Sequence, residues 1–348
     1  MDESERNRST RRALLKAAAG ASAAGAASTA GCVAISTPAD LAAANEPRGN
    51  VEYFVGPSWL AEHRDAVKVL DARQRDLFRR ERIYGARRVP LSEITVRTST
   101  DDGLVPDAAS FAETFGGLGI EPTDDVVVYG ASVGSRVTRT VFSLLASGHE
   151  GDVRILNGGL GAWNGRIGTG RASSPSETTY DADPQEDLWV TREWVANRLE
   201  PEIEDDLGLL DVRVPEAFLA AAGSDALDPR QERHGHVAGA VNVHWLGNLD
   251  RGRLRDAGEL YSLYANDAGL ADASVVVVYE DENVDSTQTW VTLRAIGFSD
   301  VRLYEGGFTE WSNVEGDHGR YPVETATDAV IDVEGEATRD DGADFTCN

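Results

Sequence analysis

The chain carries one series of short segments twice, and this repeat constrains the fold more than any other feature. VLDAR at 69–73 returns as LLDVR at 209–213. DVVVYG at 125–130 returns as SVVVVYE at 274–280, and VRILNGGLGAW at 153–163 as VRLYEGGFTEW at 301–311. The spacing between copies changes only by short insertions, so the repeating unit is a whole domain rather than a small solenoid motif. Each copy alternates β-branched runs of strand length with helical stretches, such as 135–147 and 286–296. Continuous apolar strands separated by helices predict an α/β fold in which a mostly parallel sheet is flanked by helices on both faces. A length of 348 residues suits two such domains, each with its own core.

Charge narrows the function. Lysine plus arginine total 33 against 59 acidic residues, for a net charge of -26, and the only lysines are Lys16 and Lys68. So acidic a surface disfavours nucleic acid as a partner. The acids are spread along the whole chain, which suits a surface kept hydrated in high salt, so acidity alone marks no site.

The first residues read as an address. Arg11-Arg12 precede a weakly apolar Ala/Gly-rich run that ends in Ser28-Thr29-Ala30-Gly31-Cys32. A twin arginine before such a run resembles a Tat export signal over 1–32. Small residues leading into Cys32 resemble a lipoprotein processing site, which would anchor the mature chain to the outer face of the membrane by lipid on Cys32. Thr29 departs from the aliphatic residue usual in such sites, so release after ordinary cleavage stays open. The run lacks the large aliphatic residues of a spanning helix. Residues 33–50 then read as a flexible tether, 51–167 and 188–323 as the two domains, 168–187 as a surface linker, and 324–348 as an acidic disordered tail.

A more specific series lies inside the copies: Asp-x-Arg after a strand, Gly-His-x-x-Gly-Ala-x-Asn, a valine-rich strand ending in tyrosine, a loop and helix, then Gly-Gly-x-x-x-Trp. The second copy carries it as Asp211, Arg213, Gly235-His236, Gly239-Ala240, Asn242, Tyr279, Gly306-Gly307 and Trp311. The first copy keeps Asp71, Arg73, Tyr129, Gly158-Gly159 and Trp163. This series resembles the tandem rhodanese family of thiosulfate and 3-mercaptopyruvate sulfurtransferases and implies two tandem rhodanese-like domains. Most of these residues also have a scaffold reading. The glycines suit a turn needing positive φ, the tryptophans a core plug, Asp211–Arg213 a loop-holding ion pair, and His236 a hydrogen-bonded strut.

The resemblance also implies a chemistry that the chain lacks. A sulfurtransferase attacks sulfane sulfur with a thiolate held in a loop of backbone N–H donors at a helix start. In the family the residue after the strand tyrosine is that cysteine; here Tyr279 is followed by Glu280. The family's Asp-x-Arg-x-x-x-Arg-aromatic pattern implies an arginine for the substrate's anionic end, at the position of Ala217. The loop Glu280-Asp281-Glu282-Asn283-Val284-Asp285-Ser286 therefore reads as degenerate, and its four acids would repel a dianion such as thiosulfate. Neither Cys32 nor Cys347, the only two cysteines, lies in a strand-to-helix loop.

Two smaller readings remain beside this one. Asp281-x-Asn283-x-Asp285 has the ligand spacing that opens a calcium loop, though Ser286 and Thr292 stand where glycine and glutamate are expected; alternatively Asp285 or Ser286 caps the following helix. The first copy's loop, with Gly130, Ser132, Gly134, Ser135 and Arg136, could cradle a small anion, with Arg136 or Arg139 supplying charge, or be an unliganded turn. The expectation is an exported, lipid-anchored protein without cofactor or persulfide chemistry that binds a protein partner or a small ligand. The alternatives are a sulfurtransferase using Cys347 or a thiol in trans, and a cation-binding module on loop 280–285.

Overall fold

The computed structural model describes residues 53–98, 103–199, 206–221, 223–325 and 329–333. The signal at 1–32 with Cys32, the tether at 33–50, and Cys347 lie outside the described residues.

The first domain is a five-stranded sheet. Its strands are β1 (Phe54–Val55), β2 (Lys68–Asp71), β3 (Arg87–Arg88), β4 (Val126–Tyr129) and β5 (Val153–Leu156), in the order β1-β5-β4-β2-β3 and parallel throughout. Its principal helices are α1 (Pro57–His63), α2 (Arg75–Arg80), α3 (Ala108–Gly117) and α4 (Ser135–Ala146). The second domain repeats the plan with β6 (Trp189–Val190), β7 (Leu207–Asp211), β8 (Val241–Val243), β9 (Val275–Tyr279) and β10 (Val301–Tyr304), and with helices α5 (Arg192–Arg198), α6 (Ala257–Ser262), α7 (Ser286–Ala295) and α8 (Gly307–Ser312). Its parallel order is β11-β8-β7-β9-β10-β6, where β11 is Val330–Ile331. The central strands β4 and β9 are buried at every residue, because helices cover both sheet faces.

β11 corrects the expected tail. Val323–Glu324 pairs antiparallel with His236–Val237, and Val330–Ile331 adds a sixth strand beside Val241–Val243, so the described chain to 333 is part of the second domain. The stretch 168–187 runs over the first domain's surface, but it is pinned there. Tyr180 is buried in the core, stacks tilted on Phe115 at 5.2 Å and shares a hydrogen bond of 2.6 Å with Ser147.

The domains meet where α4 packs on α7. Phe142 meets Trp290 edge-on at 5.1 Å, and Thr138 Oγ1 lies 2.9 Å from Thr287 Oγ1. At the centre of this contact sits Arg139, fully buried. Its guanidinium donates to Ile94 O (3.2 Å) and Leu104 O (3.0 Å) in its own domain and to Asn283 O (2.7 Å) in the other. No helix among the described residues is long and apolar enough to cross a membrane.

Candidate active-site loop

The same scaffold builds the loop after the central strand in each copy. In the second, Asp211 at the end of β7 takes Arg213 Nη2 at 2.6 Å, and Arg213 reaches on to Gly235 O at 2.7 Å. Tyr279 OH accepts Val237 N at 3.1 Å, and burial, with the Asp211 charge beside it, raises the phenol well above its usual range. In the first, Asp71 takes Arg73 Nη2 at 2.6 Å and the Tyr129 hydroxyl, while Tyr129 OH accepts Ile83 N at 3.1 Å. The Asp-x-Arg pair is thus a loop-holding strut, as its scaffold reading expected, and the strand tyrosine joins it. His236 is the predicted strut as well: Nδ1 meets Phe218 O at 2.9 Å, and the ring stacks on Phe218 at 3.5 Å. Trp311 is fully buried, whereas Trp163 only borders its core.

Glu280 follows Tyr279 and turns its carboxylate back into its own loop. Oε1 accepts Val284 N at 2.6 Å and Asp285 N at 3.1 Å; Oε2 accepts Asp281 N at 2.9 Å. Helix α7 begins at the next residue, so the Asp285 donor belongs to the electropositive end of a ten-residue helix. Burial, then the charges of Asp285 and Asp281, push Glu280 up to about 8, against the pull of the Val284 N–H. The group is therefore held near the boundary between acid and carboxylate at neutral pH.

The other acids do not act as one negative block. Asp281 is held by Arg213 Nη1 at 3.2 Å and Gln231 Nε2 at 2.6 Å, and Glu282 pairs with Arg230, which also holds Asp228. Asp285 meets Ser135 across the interface and Trp245 within its own domain; burial first raises it, to about 6. The expected repulsive patch is thus largely neutralised by partners distant in sequence. The calcium reading is corrected for the same reason. Asp281, Asn283 and Asp285 face three different sets of partners, with Asn283 donating to Glu305 O and accepting Ser286 Oγ at 3.2 Å. No group of three or more His, Cys, Asp or Glu side chains that could hold a metal occurs among the described residues. Nor does Asp285 cap α7: it occupies the N-cap position without a side-chain bond to the helix.

Gly307 is what lets α8 close over the loop. Its φ is +60°, and an added Cβ would stand 2.5 Å from Glu280 O, the carbonyl that accepts Phe308 N at 2.7 Å. Its neighbour Gly306 has ordinary negative φ, so only the second glycine of the pair is conformationally required. Gly307→Ala is expected to lose about 2 kcal/mol or more in denaturant melts, because it adds a clash to left-handed strain. Gly56→Ala, where nothing lies within 4 Å, should stay near neutral.

Ala217 is a buried residue in the short helix Pro215–Phe218 and offers only a methyl group. The first copy's loop is not an open cradle, which corrects that reading. Gly130 O accepts Leu160 N at 2.8 Å, Val133 N donates to Gly252 O at 2.9 Å from the other domain, Ser132 is buried, and Ser135 beside Gly134 is met by Asp285. Arg139 is saturated by carbonyls. Arg136 alone points elsewhere, half-buried beside Arg88. A cavity of about 870 Å³ opens on the first domain, but its carboxylates Glu93, Glu113 and Glu177 and its hydroxyls lie apart from the Glu280 loop.

Comparison with protein families finds the rhodanese-like domain twice, over residues 56–166 and 191–314. The chain belongs to the rhodanese-like family. It is 30% identical over 308 residues to a thiosulfate sulfurtransferase of Corynebacterium glutamicum, covering 84% of this chain and 96% of that one. It is 27% identical over 277 residues to the 3-mercaptopyruvate sulfurtransferase of Escherichia coli, covering 74% and 94%. Among solved structures, the 3-mercaptopyruvate sulfotransferase fold from Escherichia coli superposes with a TM-score of 0.63 at 25% identity over 73% of this chain and 98% of that one. The tandem rhodanese architecture of two parallel sheets is therefore shared along nearly the whole length of these relatives.

Proposed function

We propose that this rhodanese-family protein is a non-catalytic binding module, exported by a Tat-type signal and anchored through lipid on Cys32, with Glu280 standing at the family's nucleophile position. One observation supports this reading above the others: the Glu280 carboxylate takes the backbone N–H groups of Asp281, Val284 and Asp285. Those are donors of the kind a persulfide loop uses to hold anionic sulfur. A carboxylate can fill such a nest, but it cannot carry a sulfane sulfur. Ala217 gives the loop no cation of its own, and Arg213 is already committed to Asp211 and Asp281. The remaining role is recognition of a protein partner or a small ligand.

The competing reading, sulfur transfer through Cys347, draws on the names of the relatives. Thiosulfate:cyanide and mercaptopyruvate assays on the full chain, with Cys347→Ser alongside, separate the two. We expect neither thiocyanate nor pyruvate above the no-protein rate. Turnover that Cys347→Ser abolishes would replace our reading with the enzymatic one. Mass spectrometry of the native protein should show a lipidated Cys32 at the mature N-terminus; an unprocessed residue 32 would remove the anchor.

A further inference from the structure

In a chain of net charge -26, four arginines gather at the C-terminal end of the first sheet. Arg75 and Arg79 lie one turn apart on α2, the helix that leaves β2. Arg88 ends β3, in register with Asp71 at the end of β2. Arg136 is the second residue of α4, which follows β4, the other neighbour of β2. The four therefore converge on the edge of an open parallel sheet where ligands of α/β proteins bind.

Their electrostatics are unbalanced. None of the four guanidinium groups has a hydrogen-bond or ion-pair partner among the described residues, while the half-buried Arg64, Arg87 and Arg154 are each tied to a carboxylate or carbonyl. Arg88 is held below its ordinary value by burial first and then by the charges of Arg75 and Arg79; Arg136 is lowered by burial and then by Arg88. Two carboxylates oppose this at Arg88: exposed Glu93, and Asp71, whose oxygens are already committed to Arg73 and Tyr129. Like charges gathered at a half-buried place repel, and a bound anion relieves that repulsion.

The cluster is not part of the repeated scaffold. In the second copy Pro215 begins the corresponding helix, and Asn242 stands opposite Asp211 where Arg88 stands opposite Asp71. Asn242 is spent on the carbonyls of Asp211 (3.0 Å) and Arg213 (2.8 Å), a structural duty that Arg88 does not perform. Guanidinium forks match the oxygen edges of tetrahedral oxyanions in pairs, which a single exposed cation does not.

We propose that Arg75, Arg79, Arg88 and Arg136 form a binding site for a small doubly charged oxyanion of the sulfate, thiosulfate or phosphate class. The site lies on the first domain and stands whether or not the second domain turns over sulfur.

The test is calorimetric titration of the full chain with sodium sulfate, thiosulfate and phosphate, each balanced with chloride at constant low ionic strength. Saturable one-site binding of at least one of the three is expected, and the ion preferred identifies the occupant within the class. Arg88→Gln/Arg136→Gln should weaken it at least tenfold. Arg75→Gln/Arg79→Gln, at exposed positions that leave the fold intact, should weaken it several-fold. Arg251→Gln, outside the cluster, should leave it unchanged. Absence of saturable binding to the wild type, or binding that survives in the Arg75/Arg79 variant at full strength, would overturn the proposal. That second variant decides the matter even if the half-buried pair cannot be replaced without unfolding.

Discussion

Arg139→Met is expected to cost about 3–5 kcal/mol of stability, a fall of roughly 10 °C in melting temperature. Methionine fills much of the volume but donates nothing, so Asn283 O loses its donor, while Ile94 O keeps only Ser143 Oγ at 3.3 Å and Leu104 O only Val96 N at 2.9 Å. The orphaned Asn283 carbonyl carries a desolvation penalty of about 1–3 kcal/mol, and the loss of the charge-assisted bonds to the other two carbonyls adds the rest. The arginine holds its proton across the working range, because burial lowers it only to about 10 while Glu305 and Glu280 hold it up. Arg139→Lys should recover part of the loss, since an ammonium keeps the charge but cannot span three carbonyls as the planar fork does. Because Asn283 belongs to the second domain, the variant should also make the two domains melt apart, read as a broadened or split calorimetric transition. A single unshifted transition would show that the helix contact alone holds the domains.

Glu280→Gln is expected to change how stability depends on pH rather than stability at one pH. Folding raises this carboxyl from about 4.5 to about 8, so the folded state binds a proton that the unfolded chain has released between those values. The group's contribution is therefore complete below its unfolded value and is lost as pH rises through 8. Asp285, raised to about 6, acts with the same sign over the lower part of that window. From the Glu280 shift alone the wild type should lose on the order of 4 kcal/mol between pH 5 and pH 9, beyond the general effect of its acidic surface. Glutamine still presents Oε1 to Val284 and Asp285 but turns an amide toward Asp281 N, at a cost of about 1 kcal/mol at all pH values. Melts from pH 5 to 9 should show a flatter profile for Glu280→Gln; parallel profiles would mean that Glu280 does not titrate in the fold.

Both predictions concern residues whose contacts the sequence hid, although much of the fold was legible there. The runs Val126–Tyr129 and Val275–Tyr279 announced buried parallel strands, because only a sheet covered on both faces leaves no polar alternation. The repeated Asp-x-Arg and the strand tyrosine gave the struts that hold both loops. What sequence could not reveal was partnership across long separations. The acids of loop 280–285 read as a repulsive block because Arg213, Arg230 and Gln231, which neutralise or hold them, lie some fifty to seventy residues earlier. Arg139 looked like a ligand for an anion beside the first loop, whereas its place one turn inside α4 turns it into the other domain. Val330–Ile331 escaped notice because a two-residue strand in acidic surroundings has no periodicity to detect. Of the four arginines of the first domain only Arg136 drew notice in the sequence, and only the strand register brings Arg75, Arg79 and Arg88 to the same edge.

The sixth strand gives the two halves different timetables. Everything the first sheet needs lies between Phe54 and Leu156, so it can close before the strands of the second sheet have been synthesised. The second must wait until Val330–Ile331 has been made, and until then the outer side of Val241–Val243 is a bare row of amides and carbonyls able to zip onto a stranger. The nascent protein is thus most vulnerable to misassociation in the interval before Val330–Ile331 emerges.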